Sequence, residues 1–191
     1  MPTLEETRNW CVPNRCPRLP IMRFALLLCA AFAVPASLAA QTCALEFTIE
    51  VTRGVGDIPP GTELMGHAEF TTEGSFRQEG GSTAHLATGT MALNDTISGP
   101  VWALITTSRD FTSDLVGIYA HHVTGFTFAG SRFDGPMALT LYGTPGTRPE
   151  PVPPMTQDEW DSLALRRTFQ LHSNNGDMLA GDVTALQADC T

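Results

Sequence analysis

The 191-residue chain contains no lysine; all eleven basic side chains are arginines. A Schiff-base lysine, a P-loop lysine and a kinase-type Lys–Glu pair are thereby excluded. Twenty acids outnumber the arginines, and a formal net charge of −9 argues against a nucleic-acid partner. The pattern Gly-x-Ser-x-Gly is missing, and with it the sequence mark of an α/β-hydrolase nucleophile. His-x-His is missing too, which removes the simplest way for one strand to offer two imidazoles to a metal. Aromatics make up only 8% of the chain, with two tyrosines and three tryptophans.

What is present begins with an export signal. Arg23 precedes an apolar run from Phe24 to Val34, and small residues follow Pro35. Charged start, short hydrophobic stretch and small-residue cleavage site are the order of a secretory signal peptide. The run is far shorter than the ~20 residues a membrane-spanning helix needs. We therefore expect residues 22–40 to be a signal peptide, with the exported chain starting at Ala40 or Gln41 in a periplasmic or extracellular compartment. Residues 1–21 precede a complete signal at Met22 and read as an upstream artefact of the start-site choice. Cys11-x4-Cys16 lacks a second ligand pair, so zinc is not expected there.

Residues 41–191 then form one domain, with seven arginines against eighteen acids and a net charge of −11. Such a chain is repelled by anionic lipid, and no stable membrane insertion is expected after signal cleavage. Its two cysteines, Cys43 and Cys190, lie near the two ends. In an oxidising compartment they are expected to form a disulfide.

The domain reads as all-β. Leu45, Phe47, Ile49 and Val51 alternate with Glu46, Thr48 and Glu50, the pattern of a half-buried strand. Leu64, Gly66, Ala68 and Phe70 alternate in the same way. His85–Met91 is a weaker strand, with Gly80-Gly81 as a turn before it. Val101–Thr106 and Leu115–Tyr119 are short apolar runs that suit central strands, and Met137, Leu139 and Leu141 alternate again. Asn175-Gly176, between Thr168–His172 and Met178–Val183, predicts a type I′ hairpin. Thr156-Gln-Asp-Glu159 is a capping box for a short helix near 156–165, with Trp160, Leu163 and Ala164 on its apolar face. About nine short strands with one helix predict an antiparallel β-sandwich or an irregular barrel.

The chemistry-bearing residues are dispersed. The histidines are His67, His85, His121, His122 and His172; on a strand, His121 and His122 would face opposite ways. Three imidazoles converging with Glu69 or Asp134 would be needed for a metal, and none is expected. Glu46, Glu50, Glu63, Glu69 and Glu73 are numerous enough to supply a glycosidase carboxylate pair, yet alternation puts Glu46 and Glu50 on a solvent face. Trp102, Tyr119, Tyr142 and Trp160 would make a sugar-stacking platform if exposed, but their apolar surroundings predict core packing. Neither catalytic residues nor a cofactor is expected. The sequence predicts an exported, acidic, non-catalytic binding or envelope-associated module, its partner a protein or a saccharide. The loops Arg53–Gly61 and Gly143–Met155 are the expected contact regions. The alternative is a secreted hydrolase with a carboxylate- or His-based site assembled from loops.

Overall fold

A computed structural model describes residues 40–108 and 113–191. The stretch 1–21 with its Cys11/Cys16 pair, and residues 22–39 of the segment expected to be a signal peptide, lie outside the described residues. Ten strands and one helix follow in order: β1 (Gln41–Arg53), β2 (Glu63–Glu79), β3 (Ser82–Leu93), β4 (Ile97–Thr107), β5 (Asp114–Ala120), β6 (Thr127–Phe128), β7 (Ser131–Arg132), β8 (Met137–Gly143), α1 (Gln157–Asp161), β9 (Arg166–His172) and β10 (Met178–Cys190). Of the two architectures left open by the sequence, the chain adopts the barrel. Eight strands close in the order β1-β10-β9-β8-β5-β4-β3-β2, every neighbouring pair antiparallel, while β6 and β7 form a small separate hairpin. Closure leaves the barrel wall without the two free edges of an open sheet.

The alternating residues explain closure. Leu45, Phe47, Ile49 and Val51 of β1 and Leu64, Ala68 and Phe70 of β2 all point into the barrel and are buried. Met91, Leu93, Leu104, Ile118, Leu139, Phe169 and Leu179 complete the filling from the other strands. An eight-stranded barrel has an interior just wide enough for side chains to occupy, and these do so. Gly66 is part of that fit: a β-carbon built there would lie 2.1 Å from the Phe47 ring, which takes the space instead.

Several elements are longer than the sequence suggests. Ser75–Ala92 looks polar and broken, yet β2 and β3 run through it as one long hairpin turned at Gly80-Gly81. Two register shifts, between Thr72 and Gly74 and between Ser75 and Arg77, let the strand absorb residues that break alternation. At Asn175-Gly176 only Gly176 takes a positive φ, 92°, and Gly176 N–H bonds Ser173 C=O, so the turn is wider than the expected two-residue type. The tight turn with two positive φ values sits instead at Asn94 and Asp95, 46° and 57°.

Helix α1 opens with the expected capping box: the Glu159 N–H donates to Thr156 Oγ1 (3.3 Å) and the Thr156 N–H to Glu159 Oε2 (3.1 Å). It ends at Asp161, so Trp160 and Leu163 are buried but Ala164 falls outside the helix and is exposed. Arg167 holds its end by donating to the carbonyls of Leu163 (3.0 Å) and Trp160 (3.1 Å). Cys43 and Cys190 are directly opposed on β1 and β10 and joined by a disulfide. Thr42 and Thr191 exchange two backbone hydrogen bonds beside them, which makes the cysteines a non-hydrogen-bonded pair, the kind whose side chains approach most closely. Among the described residues no helix is long and apolar enough to cross a membrane.

Candidate functional site

Because the interior is filled, any site must use the barrel ends or the outer wall. The two loops favoured by the sequence cannot form one site. Arg53–Gly61 connects β1 to β2 at one end, whereas Gly143–Met155 follows β8 at the other. The first lines a cleft of about 230 Å3 with Phe128 and Asp177. The second lines a cleft of about 160 Å3 with Glu159 and Ser162.

The histidines likewise stay apart. His67 lies on the outer face of β2, 3.6 Å from Asp95. His85 points inward from β3 and is buried. His172, at the end of β9, meets Gln170 at 3.4 Å. His121 and His122 follow β5 instead of lying on it, and the positive φ of His122 (51°) releases them from strand alternation, so their rings sit 6.5 Å apart. Neither Glu69 nor Asp134 joins three imidazoles, and no group of three or more His, Cys, Asp or Glu among the described residues is placed to hold a metal. Glu46, Glu50, Glu63, Glu69 and Glu73 form a solvent-facing row on β1 and β2.

The aromatic residues do come together, against the expectation of core packing. Only Trp160 is in the core. A register shift between Val101 and Ala103 turns Trp102 out of β4, leaving it 42% exposed. Tyr119 of β5 and Tyr142 of β8 point outward because Ile118 and Leu141, their neighbours, point in; both tyrosines are half-buried. The phenolic end of the Tyr119 ring packs over Gly117, where a β-carbon would stand 2.7 Å from its Cε2 and hydroxyl. Burial raises the Tyr119 pKa, against a hydrogen bond from Thr140 and with Tyr142 adding to the rise, so the phenol stays neutral. Trp102 packs on His121 with centroids 5.2 Å apart, and the Arg166 guanidinium lies 4.1 Å from the centre of the Tyr142 ring.

These side chains make a strip along the wall: His121, Trp102, Tyr119, Tyr142, Arg166. The positions of Met137 and Tyr142 mark its span along β8, five residue steps or roughly 17 Å at the usual rise of a strand. Beyond His121 the strip meets a cleft of about 370 Å3 lined by His122, Phe126, Arg132 and Asp134, the last two 3.5 Å apart. Flat aromatic faces accept the C–H face of a sugar ring, and the tyrosine hydroxyl, imidazole and guanidinium supply polar partners at the rim. The sequence offered one signal for this: Gly117 two residues before Tyr119, a glycine in a strand where another group approaches closely.

The other cluster missed by sequence reasoning is internal. Thr83, His85, Thr106, Ser108 and Asp114 point inward from β3, β4 and β5 at the end covered by the proline-rich loop, and all are buried. Thr106 Oγ1 donates to the Pro151 carbonyl at 2.6 Å. Its single proton is thereby used, so at 3.1 Å it accepts from His85 Nε2–H, which fixes the tautomer. Arg148 N–H donates to Asp114 Oδ2 at 2.6 Å, and the Arg148 guanidinium bonds the Val152 carbonyl. Desolvation lowers the His85 pKa, partly offset by its interaction with the Pro151 backbone. This cluster ties the loop to the barrel end.

The chain matches no protein-family model, no curated protein and no solved structure.

Proposed function

We propose that this chain is an exported, acidic β-barrel that binds an extended saccharide and performs no catalysis on it. The observation that carries the reading is the strip of Trp102, Tyr119 and Tyr142 on the outer wall, with Tyr119 packed over Gly117. A protein that folds its few aromatics into the core leaves no such row. Here a bulge and a glycine are spent on exposing one. Export rests on Arg23, the Phe24–Val34 run and the small residues after Pro35.

Affinity electrophoresis of the mature protein through gels containing soluble polysaccharides tests the binding. Retardation is expected in at least one gel and should be reduced at least tenfold, about 1.4 kcal/mol, by Trp102→Ala. Unchanged retardation in that variant removes the strip as the site. Mass spectrometry of protein from its native compartment tests export: the chain should begin at Ala40 or Gln41, and recovery of the Phe24–Val34 run would refute it.

A further inference from the structure

The outer wall is divided by charge. The exposed faces of β1, β2 and β10 carry Glu46, Glu50, Glu63, Glu69, Glu73, Asp182 and Asp189. The outward positions of β4, β5, β8 and β9 carry no acid at all: Asp114, the one carboxylate on those strands, points inward. In a domain of net charge −11 such a neutral sector is a departure from the average surface.

The arginines sharpen the division. Arg53 at the end of β1 is exposed without an ion-pair partner among the described residues, but it stands on the acidic wall and away from the aromatic strip. Arg148 is buried and Arg167 is committed to the carbonyls of α1. Arg77 pairs with Glu79 on the β2–β3 hairpin and Arg132 lies against Asp134. Arg166 stands on the strip itself, exposed over Tyr142, with no carboxylate within ion-pair distance among the described residues. Arginine recognises a planar carboxylate through two parallel N–H donors, a geometry that lysine cannot reproduce. From these observations, and resting on the saccharide-binding reading, we infer that the strip takes a polyuronate: sugar rings lie on Trp102, Tyr119 and Tyr142 while a sugar carboxylate pairs with Arg166.

The overall charge of the domain opposes a polyanion. The acids on the opposite wall repel any polyanion, so non-specific electrostatics disfavour the complex and only a local site can hold it. The arrangement also orients the ligand, since a polyanion that approaches the acidic wall is turned away from it.

The test is affinity electrophoresis of the mature protein at fixed ionic strength in gels containing polygalacturonate, its methyl ester or a neutral cellulose ether. Polygalacturonate is expected to retard the protein at least fivefold more strongly than the ester. Arg166→Gln should erase that difference, bringing polygalacturonate down to whatever retardation the same variant shows with the ester; Arg166→Lys should restore it only in part. Equal retardation by ester and acid overturns the uronate inference while leaving saccharide binding intact. Retardation in no gel overturns both. Polygalacturonate binding that survives Arg166→Gln also overturns the inference, because the carboxylate is then held elsewhere. Sedimentation velocity covers the remaining occupant: a dimer that Trp102→Ala dissolves would mean that a second copy covers this face, and would overturn the inference.

Discussion

Two halves of one barrel wall use the same rule inside and opposite rules outside. On β1, β2 and β10 the inward residues are Leu45, Phe47, Ile49, Ala68 and Val183, and the outward ones are dominated by Glu, Asp and Thr, with Met65 and Phe76 of β2 as apolar exceptions. On β4, β5, β8 and β9 the inward residues are apolar apart from Thr106 and Asp114 at one barrel end, but the outward set includes Trp102, Ala103, Ile105, Leu115, Tyr119 and Tyr142. Burial of the inner face is what stabilises a barrel, and both halves meet that requirement. The difference between them lies where folding makes no demand. An outer face of charge and threonine keeps a strand soluble; an outer face of aromatics has to be explained by something that covers it.

The largest expected effect separates stability from binding. The disulfide belongs to the acidic half, joining β1 to β10 across a sequence separation of 147. On loop-closure entropy, opening it should cost about 3–5 kcal/mol, seen as a lower urea midpoint for Cys43→Ser/Cys190→Ser. Saccharide binding measured well below that midpoint should be unchanged. If reduction abolished binding in a protein that remains folded, the two halves would not be independent.

The second effect is a pH dependence lodged between the halves, at the barrel end. Burial lowers the pKa of His85 from the ordinary histidine value near 6.5. The folded state therefore binds fewer protons than the unfolded chain, and stability must fall as pH drops below about 6.5. The loss levels off once pH has passed the lower folded value. Thermal melts of wild type and His85→Gln between pH 7.5 and 4.5 should differ in slope, the variant lacking this component. Parallel curves would mean that His85 is not buried neutral, and would undo the tautomer assigned through Thr106.

A smaller effect probes the aromatic half alone. Gly117→Ala places a methyl group under the Tyr119 ring, 2.7 Å from its nearest atoms, and the ring can yield by rotating off the wall. Binding should weaken several-fold in affinity electrophoresis while the melting temperature changes little. Unaltered binding would show that the packing of Tyr119 over Gly117 is incidental.

What the sequence revealed follows from the same asymmetry. Inward alternation such as Leu45-x-Phe47-x-Ile49-x-Val51 is dictated by burial, so the all-β reading, the capping box at Thr156 and the Cys43–Cys190 bond were all legible. The aromatic strip was not. Val101–Thr106 and Leu115–Tyr119 read as continuous apolar runs, and apolarity alone does not distinguish two buried faces from one buried face and one sticky one. The bulge that turns Trp102 outward is a matter of register between strands, invisible in a single segment. The internal cluster was hidden for a related reason: Thr83, His85, Thr106 and Asp114 are polar residues at inward positions, and only the proline-rich loop arriving from far along the chain gives Thr106 and Asp114 partners.

The smallest prediction belongs to the acidic half. Glu50 and Glu63 are directly opposed where β1 and β2 begin to separate, and both are exposed. Like charges facing each other across an antiparallel pair are destabilising, by roughly 0.2–1 kcal/mol where solvent and salt leave any of it unscreened. No fold requirement places them there, since Leu64 and Ile49 beside them already supply the buried contacts. Glu63→Gln should therefore stabilise the domain slightly at low salt, and the gain should disappear at 1 M salt, where the Debye length is about 3 Å. In the proposed function that repulsion has a use, because it adds to the field that keeps a polyanion off this wall. The variant should then gain stability and lose a little of its discrimination between the two faces, measured as weak residual retardation by polygalacturonate in the Trp102→Ala background. A destabilised Glu63→Gln protein would mean that the acidic row holds the wall together, and the contrast between a structural half and a binding half would have to be drawn elsewhere.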